Sequence, residues 1–93
     1  NKENHMTIYR IWQSPNPTFS SKDIEWNEYR SAGWVRADSL NEVFEAGNLG
    51  KVHKSPTAKF LRSVSVGDVI STATDSGSQY WVVAPFGFEP FNP

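Results

Sequence analysis

Apolar and polar residues alternate one for one just beyond residue 62, while the stretch around residues 39–47 follows a helical spacing. Thr7 to Trp12 is rich in β-branched and aromatic side chains, with Ile8 and Arg10 on one face and Tyr9 and Ile11 on the other, which predicts a first strand. Ser14-Pro15-Asn16-Pro17 ends it, because proline has no amide donor and keeps the preceding residue out of helical geometry. From Ser20 to Ala32, the acids Asp23, Glu25 and Glu28, the stripe Trp26, Tyr29, Gly33 and a stop at Gly33 predict a short helix. Trp34 to Ala37 follows as a short second strand.

Ser39-Leu40-Asn41-Glu42 is a capping box, in which the serine oxygen accepts from the Glu42 amide and the glutamate reaches back. Leu40, Val43 and Phe44 then share one face, so the spacing predicts a helix over 40–46 with Gly47 as its left-handed stop. Ser55-Pro56 predicts one or two further helical turns through Thr57 to Leu61. Beyond Arg62, Ser63 to Val66 reads as a strand, Gly67-Asp68 as a turn and Val69 to Ala73 as a strand. Asp75 to Ser78 is a hairpin loop, and Gln79 to Ala84 is a central strand antiparallel to the one before it. Pro85 stops that run, and Phe86 to Phe91 closes the chain with alternating rings. The sum is a single small α+β domain over 6–93, an antiparallel β-sheet with two or three short helices packed on one side. Residues 1–5 are polar and unpatterned, and His5-Met6 reads as a cloning junction ahead of a native start.

At 93 residues there is room for one modest core, and four Trp, three Tyr and six Phe supply the bulk that few Leu and Ile do not. The absence of cysteine excludes disulfides, cysteine zinc sites and thiol catalysis, and fits a reducing compartment. No apolar run approaches the roughly 18 residues of a membrane span and the N-terminus has no secretory stretch, so a cytoplasmic location is expected. A net charge of −1 excludes a polyanion binder acting through bulk charge and leaves local patches to consider. One such patch is visible: between Ala46 and Gly67 there is no acid, but there are Lys51, Lys54, Lys59, Arg62 and His53.

Arg62-Ser63-Val64-Ser65-Val66-Gly67-Asp68-Val69-Ile70, followed by Tyr80-Trp81-Val82-Val83 and Gly87-Phe88, resembles the YodL-like domain family. The likeness spans roughly residues 38–91 and includes a short upstream helix, here Leu40 to Ala46, with an asparagine near its end, Asn48. It implies a small bacterial domain that occurs alone and on mobile-element proteins, with no established reaction, cofactor or catalytic residue. In the matched run, Gly67 supplies positive φ at a tight turn and Asp68 accepts amides there, fixing the register between Val66 and Val69.

Catalytic constellations are sparse. Ser55, His53 and Asp68 make a triad on paper without a nucleophile elbow or an oxyanion loop. Asp23, Glu25 and Glu28 read as a solvated helix face, and no histidine or carboxylate spacing suits a metal. Gly47-Asn48-Leu49-Gly50-Lys51 is not a Walker loop, since Glu45 stands where the first glycine belongs. It matches the Gly-x-x-Gly loop of KH domains, which needs a second helix directly after it. Tyr80 and Trp81 point to opposite faces of their strand, so one is expected to look outward and, with Phe86, Phe88 and Phe91, to form an aromatic contact patch.

The expected function is therefore that of a non-enzymatic binding or regulatory domain without a cofactor, an accessory protein working through protein contacts or self-association. Its sites are the basic residues Lys51, His53, Lys54, Lys59 and Arg62, and the aromatic pair Trp81 and Phe88. The alternative is a nucleic-acid-binding module using Gly47 to Lys51 and the basic 51–62 stretch.

Overall fold

The computed structural model describes residues 7–15, 24–54, 63–72 and 77–93. Five strands, β1 (Thr7–Gln13), β2 (Arg30–Ala37), β3 (Val69–Thr72), β4 (Tyr80–Ala84) and β5 (Gly87–Phe91), form one sheet in the order β2-β1-β3-β4-β5. Every neighbouring pair is antiparallel. One α-helix, α1 (Leu40–Asn48), and one 3-10 turn, Trp26–Glu28, complete the described elements. This corrects the expected α+β domain with two or three helices on one side: the described protein is mainly antiparallel sheet with a single α-helix.

The helix expected over Ser20 to Ala32 is not found among the described residues: Trp26–Glu28 forms a 3-10 turn and Arg30 to Ala32 is strand, while the first expected residues lie outside the described ones. Trp26 and Tyr29 do share a face, but through a 3-10 turn, in which residues three apart eclipse each other. Arg30 onward is then captured by β1, because a long ladder outweighs a weak helical stripe. The register shifts between Ile11 and Trp12, so that Ile11 faces Gly33 and Trp12 faces Ser31, leaving Ala32 as the extra residue of a bulge.

In α1 the Ser39 side chain accepts from the Glu42 amide at 3.3 Å, as the capping box predicts. The stop differs from the expected one. Gly47 is helical and buried, and the left-handed residue is Gly50, with φ +73°. The Lys51 amide bonds back to the Ala46 carbonyl at 2.9 Å, which closes the helix in a Schellman arrangement. A Cβ at Gly47 would stand 2.9 Å from the Val64 Cβ, so this glycine serves close packing.

Ser63 to Val66, expected as a strand, forms a bend and a turn instead. The fully buried Asp68 carboxylate accepts from the Ser65 amide at 3.0 Å and from Gln13 Nε2 at 3.2 Å, while the Asp68 amide donates to the Ser65 carbonyl at 3.0 Å. These bonds curl the segment away from any ladder and let Val64 reach α1. Gly67 takes φ +97°, the positive value the turn was expected to need. The Phe86 to Phe91 tail contains a strand the alternation of rings only hinted at, joined to β4 through Pro85 and Phe86. The turns expected over Thr57 to Leu61 lie outside the described residues, as does most of the Asp75 to Ser78 loop.

Both faces of the sheet carry apolar clusters. Tyr9, Ile11, Val35, Ile70 and Val83 meet Val43 of α1 and Val64 on one face. On the other, Val69, Val82 and Tyr29 pack with Trp12, Tyr80 and Phe91 around Trp26. Fully buried Ile11, Ile70 and Val43 each stabilise the fold by roughly 1.5–3 kcal/mol. Tyr80 and Trp81 do point opposite ways, but each lies half-buried in its own cluster, so the expectation that one looks outward is corrected.

Candidate functional site

Strand alternation sets Ile8, Arg10, Trp34 and Arg36 on the face of β1 and β2 that lies away from α1, because Tyr9, Ile11, Val35 and Ala37 take the other. Arg10 stands directly across from Trp34, and Ile8 directly across from Arg36. Ile8 and both arginines are exposed; Trp34 is half-buried. The neighbouring half of this face is roofed by Trp26, whose ring lies 5.2 Å from Trp12, 5.5 Å from Tyr80 and 5.6 Å from Phe91. Among the described residues the roof stops at Trp12, and Arg10 beyond it is exposed.

The row continues past β2. Val52 to Lys54 returns alongside that strand, with the Trp34 amide donating to the His53 carbonyl at 2.8 Å and the His53 amide to the Trp34 carbonyl at 2.9 Å. Gly33, with φ +147°, permits the approach: a Cβ there would meet the Val52 side chain and lie 2.6 Å from the His53 oxygen. The imidazole of His53 stacks on the Trp34 indole with centroids 4.4 Å apart and planes 24° from parallel. A stacked pair of one exposed and one half-buried ring therefore sits beside two guanidinium groups. Arg30, by contrast, is spent locally on the carbonyls of Asn27 at 2.6 Å and Tyr29 at 2.9 Å. Neither Arg10 nor Arg36 has a hydrogen-bond or ion-pair partner among the described residues.

The basic residues singled out in the sequence do not form one patch. His53 joins the sheet face and Lys54 is exposed next to it. Lys51 lines a hollow of about 160 Å³ with Glu42, Glu45 and Leu49, on the side of α1. Lys59 and Arg62 lie outside the described residues. The Gly47 to Lys51 segment is not a Gly-x-x-Gly clamp, because Gly47 belongs to α1 and no helix follows Gly50 before the bridge at His53. Trp81 and Phe88 are half-buried against the main cluster, Trp81 at 6.5 Å from Tyr9 and Phe88 at 6.5 Å from Phe44. Beside Phe88 runs an open groove of about 200 Å³ lined by Asn41, Phe44, Val66 and Val83, and Phe86 at the hairpin tip is fully exposed.

His53 and Asp68 do not converge. The imidazole is exposed at the outer edge of β2, whereas the carboxylate is buried at the start of β3 and bonded to Gln13 of β1. No three potential metal ligands cluster among the described residues. Arg10 and Arg36 were not among the residues singled out from the sequence, and Trp34 was weighed only as one of the strand aromatics. For Arg10 the signal was the alternation that set Ile8 and Arg10 on one face of the first strand and Tyr9 and Ile11 on the other, the latter being the buried face. Comparison with protein-family models, curated proteins and solved structures gave no match, so the YodL-like resemblance stands on its motif alone.

Proposed function

We propose that this chain is a binding domain without a catalytic role, and that it engages a negatively charged partner through the outer face of β1 and β2 and the Val52–Lys54 edge. The observation that carries this reading is the diagonal pair Arg10 and Arg36 around the Trp34–His53 stack. Like charges on adjacent strands repel. An anion seated between them relieves that cost and gains charge-assisted hydrogen bonds. Of the acids that follow Arg36 in the chain, Asp38 stands past the end of β2, and Glu42 and Glu45 line a hollow on α1 with Lys51. Trp81 and Phe88 support self-association less well, since both rings already pack inward. An accessory role in a bacterial or mobile-element setting rests on the YodL-like motif. A cytoplasmic setting rests on the cysteine-free composition, together with the lack of any described helix long and apolar enough to cross a membrane.

The test is a titration with inorganic polyphosphate at low salt, followed by tryptophan fluorescence. A saturable response that weakens with salt and vanishes in the Arg10→Glu, Arg36→Glu double variant is expected. A silent wild-type protein rules the reading out.

A further inference from the structure

We infer that the anionic partner of this face is single-stranded nucleic acid, with phosphates held by Arg10 and Arg36 and a base stacked on the Trp34–His53 pair. The inference rests on the binding face proposed above and names its ligand. The row from His53 across Trp34 to Arg10, exposed at both ends, spans three adjacent chain segments, about 10 Å, on a sheet surface. A phosphate ligand alone is served by a concave cradle of donors, whereas this surface pairs cations with π-faces. Duplex DNA hides its base faces inside the stack and is read by elements that enter a groove. A single strand exposes those faces, and aromatic side chains beside arginines on a sheet take them up with little regard for sequence.

The aromatic pair is also fixed before any ligand arrives. Two backbone hydrogen bonds between Trp34 and His53 hold the rings in register, and Gly33 is the residue that lets the His53 segment close on β2. Little ordering remains to oppose stacking when a base docks. Exposed Ile8, opposite Arg36, extends the apolar surface toward a neighbouring sugar or base. An acidic peptide would use the arginines equally well but would leave the stacked rings without a role.

The experiment is fluorescence anisotropy of labelled oligodeoxythymidine and oligouridine of about 12 nucleotides, set against a duplex of equal length, inorganic polyphosphate and polyglutamate. The inference expects either single strand to bind at low salt about ten-fold or more tightly than the duplex. His53→Ala and Trp34→Leu should each weaken that binding about ten-fold. Arg10→Gln and Arg36→Gln should each reduce the slope of log affinity against log salt by roughly 0.7. His53 is exposed, so His53→Ala decides the stacking claim even if the Trp34 variant fails to fold. Equal affinity for duplex, or single-strand binding indifferent to His53→Ala, overturns the inference. Polyphosphate or polyglutamate bound in place of the oligonucleotides also overturns it and leaves the anion-binding face intact. If no anion binds, both proposals fall together.

Discussion

Gly47, in the last turn of α1, and Val64, four residues before the Asp68 turn, occupy each other's van der Waals space so closely that no side chain fits between them. The contact locks the helix onto the segment that leads into β3. Gly47→Ala should improve helix propensity by about 1 kcal/mol. The added methyl would nevertheless collide with both the Cβ and Cγ2 of Val64, and overpacking of this kind costs roughly 1–3 kcal/mol. Net destabilisation is the expected outcome in urea unfolding. The companion Gly47→Ala, Val64→Ala double variant should recover part of the loss, and strict additivity would show that the two residues do not interact.

Gly33→Ala should act on the binding face before it acts on the core. Its methyl group needs the space of Val52 and the His53 carbonyl, and its φ of +147° disfavours any side chain. Release of Val52 to Lys54 from β2 is expected, with faster hydrogen exchange at the Trp34 and His53 amides and retained protection in β3 and β4. Uniform loss of protection across the sheet would mean that the glycine serves the whole fold.

The buried Asp68 is expected to be a stability residue. Asp68→Ala leaves the Ser65 amide and Gln13 Nε2 short of an acceptor, which should cost about 3 kcal/mol in thermal or urea unfolding. Asp68→Asn keeps one acceptor oxygen in place and should cost less. An alanine variant as stable as the native protein would remove the carboxylate from the account of this turn.

The local readings that succeeded concern residues whose own chemistry decides the outcome. The Ser39 side chain caps the Glu42 amide three positions on, Gly67 turns with the expected positive φ, and Tyr9 and Ile11 share one strand face, which is the buried one. The failures concern competition between distant segments. The weak helical stripe of Trp26, Tyr29 and Gly33 lost to a ladder with β1, which lies more than fifteen residues earlier. Ser63 to Val66 alternates like a strand, but it is bent into a turn by Asp68, whose carboxylate is held by Gln13, 55 positions away. The candidate site was half legible for the same reason. His53 drew notice as the one plausible histidine, while Arg10, Trp34 and Arg36 gained meaning only through their neighbours.

Sequence alone determined the class of surface each residue seeks: one helix begun by Ser39, strands at both ends of the chain, and an interior built from rings and β-branched side chains. Tertiary structure decided which strands are neighbours, that both sheet faces bury aromatics, and that His53 stacks on Trp34 beside Arg10 and Arg36. Periodicity is a property of consecutive residues and is written in the chain. Pairing is a contest among all segments for the same hydrogen bonds and the same apolar area, and only the assembled sheet settles it.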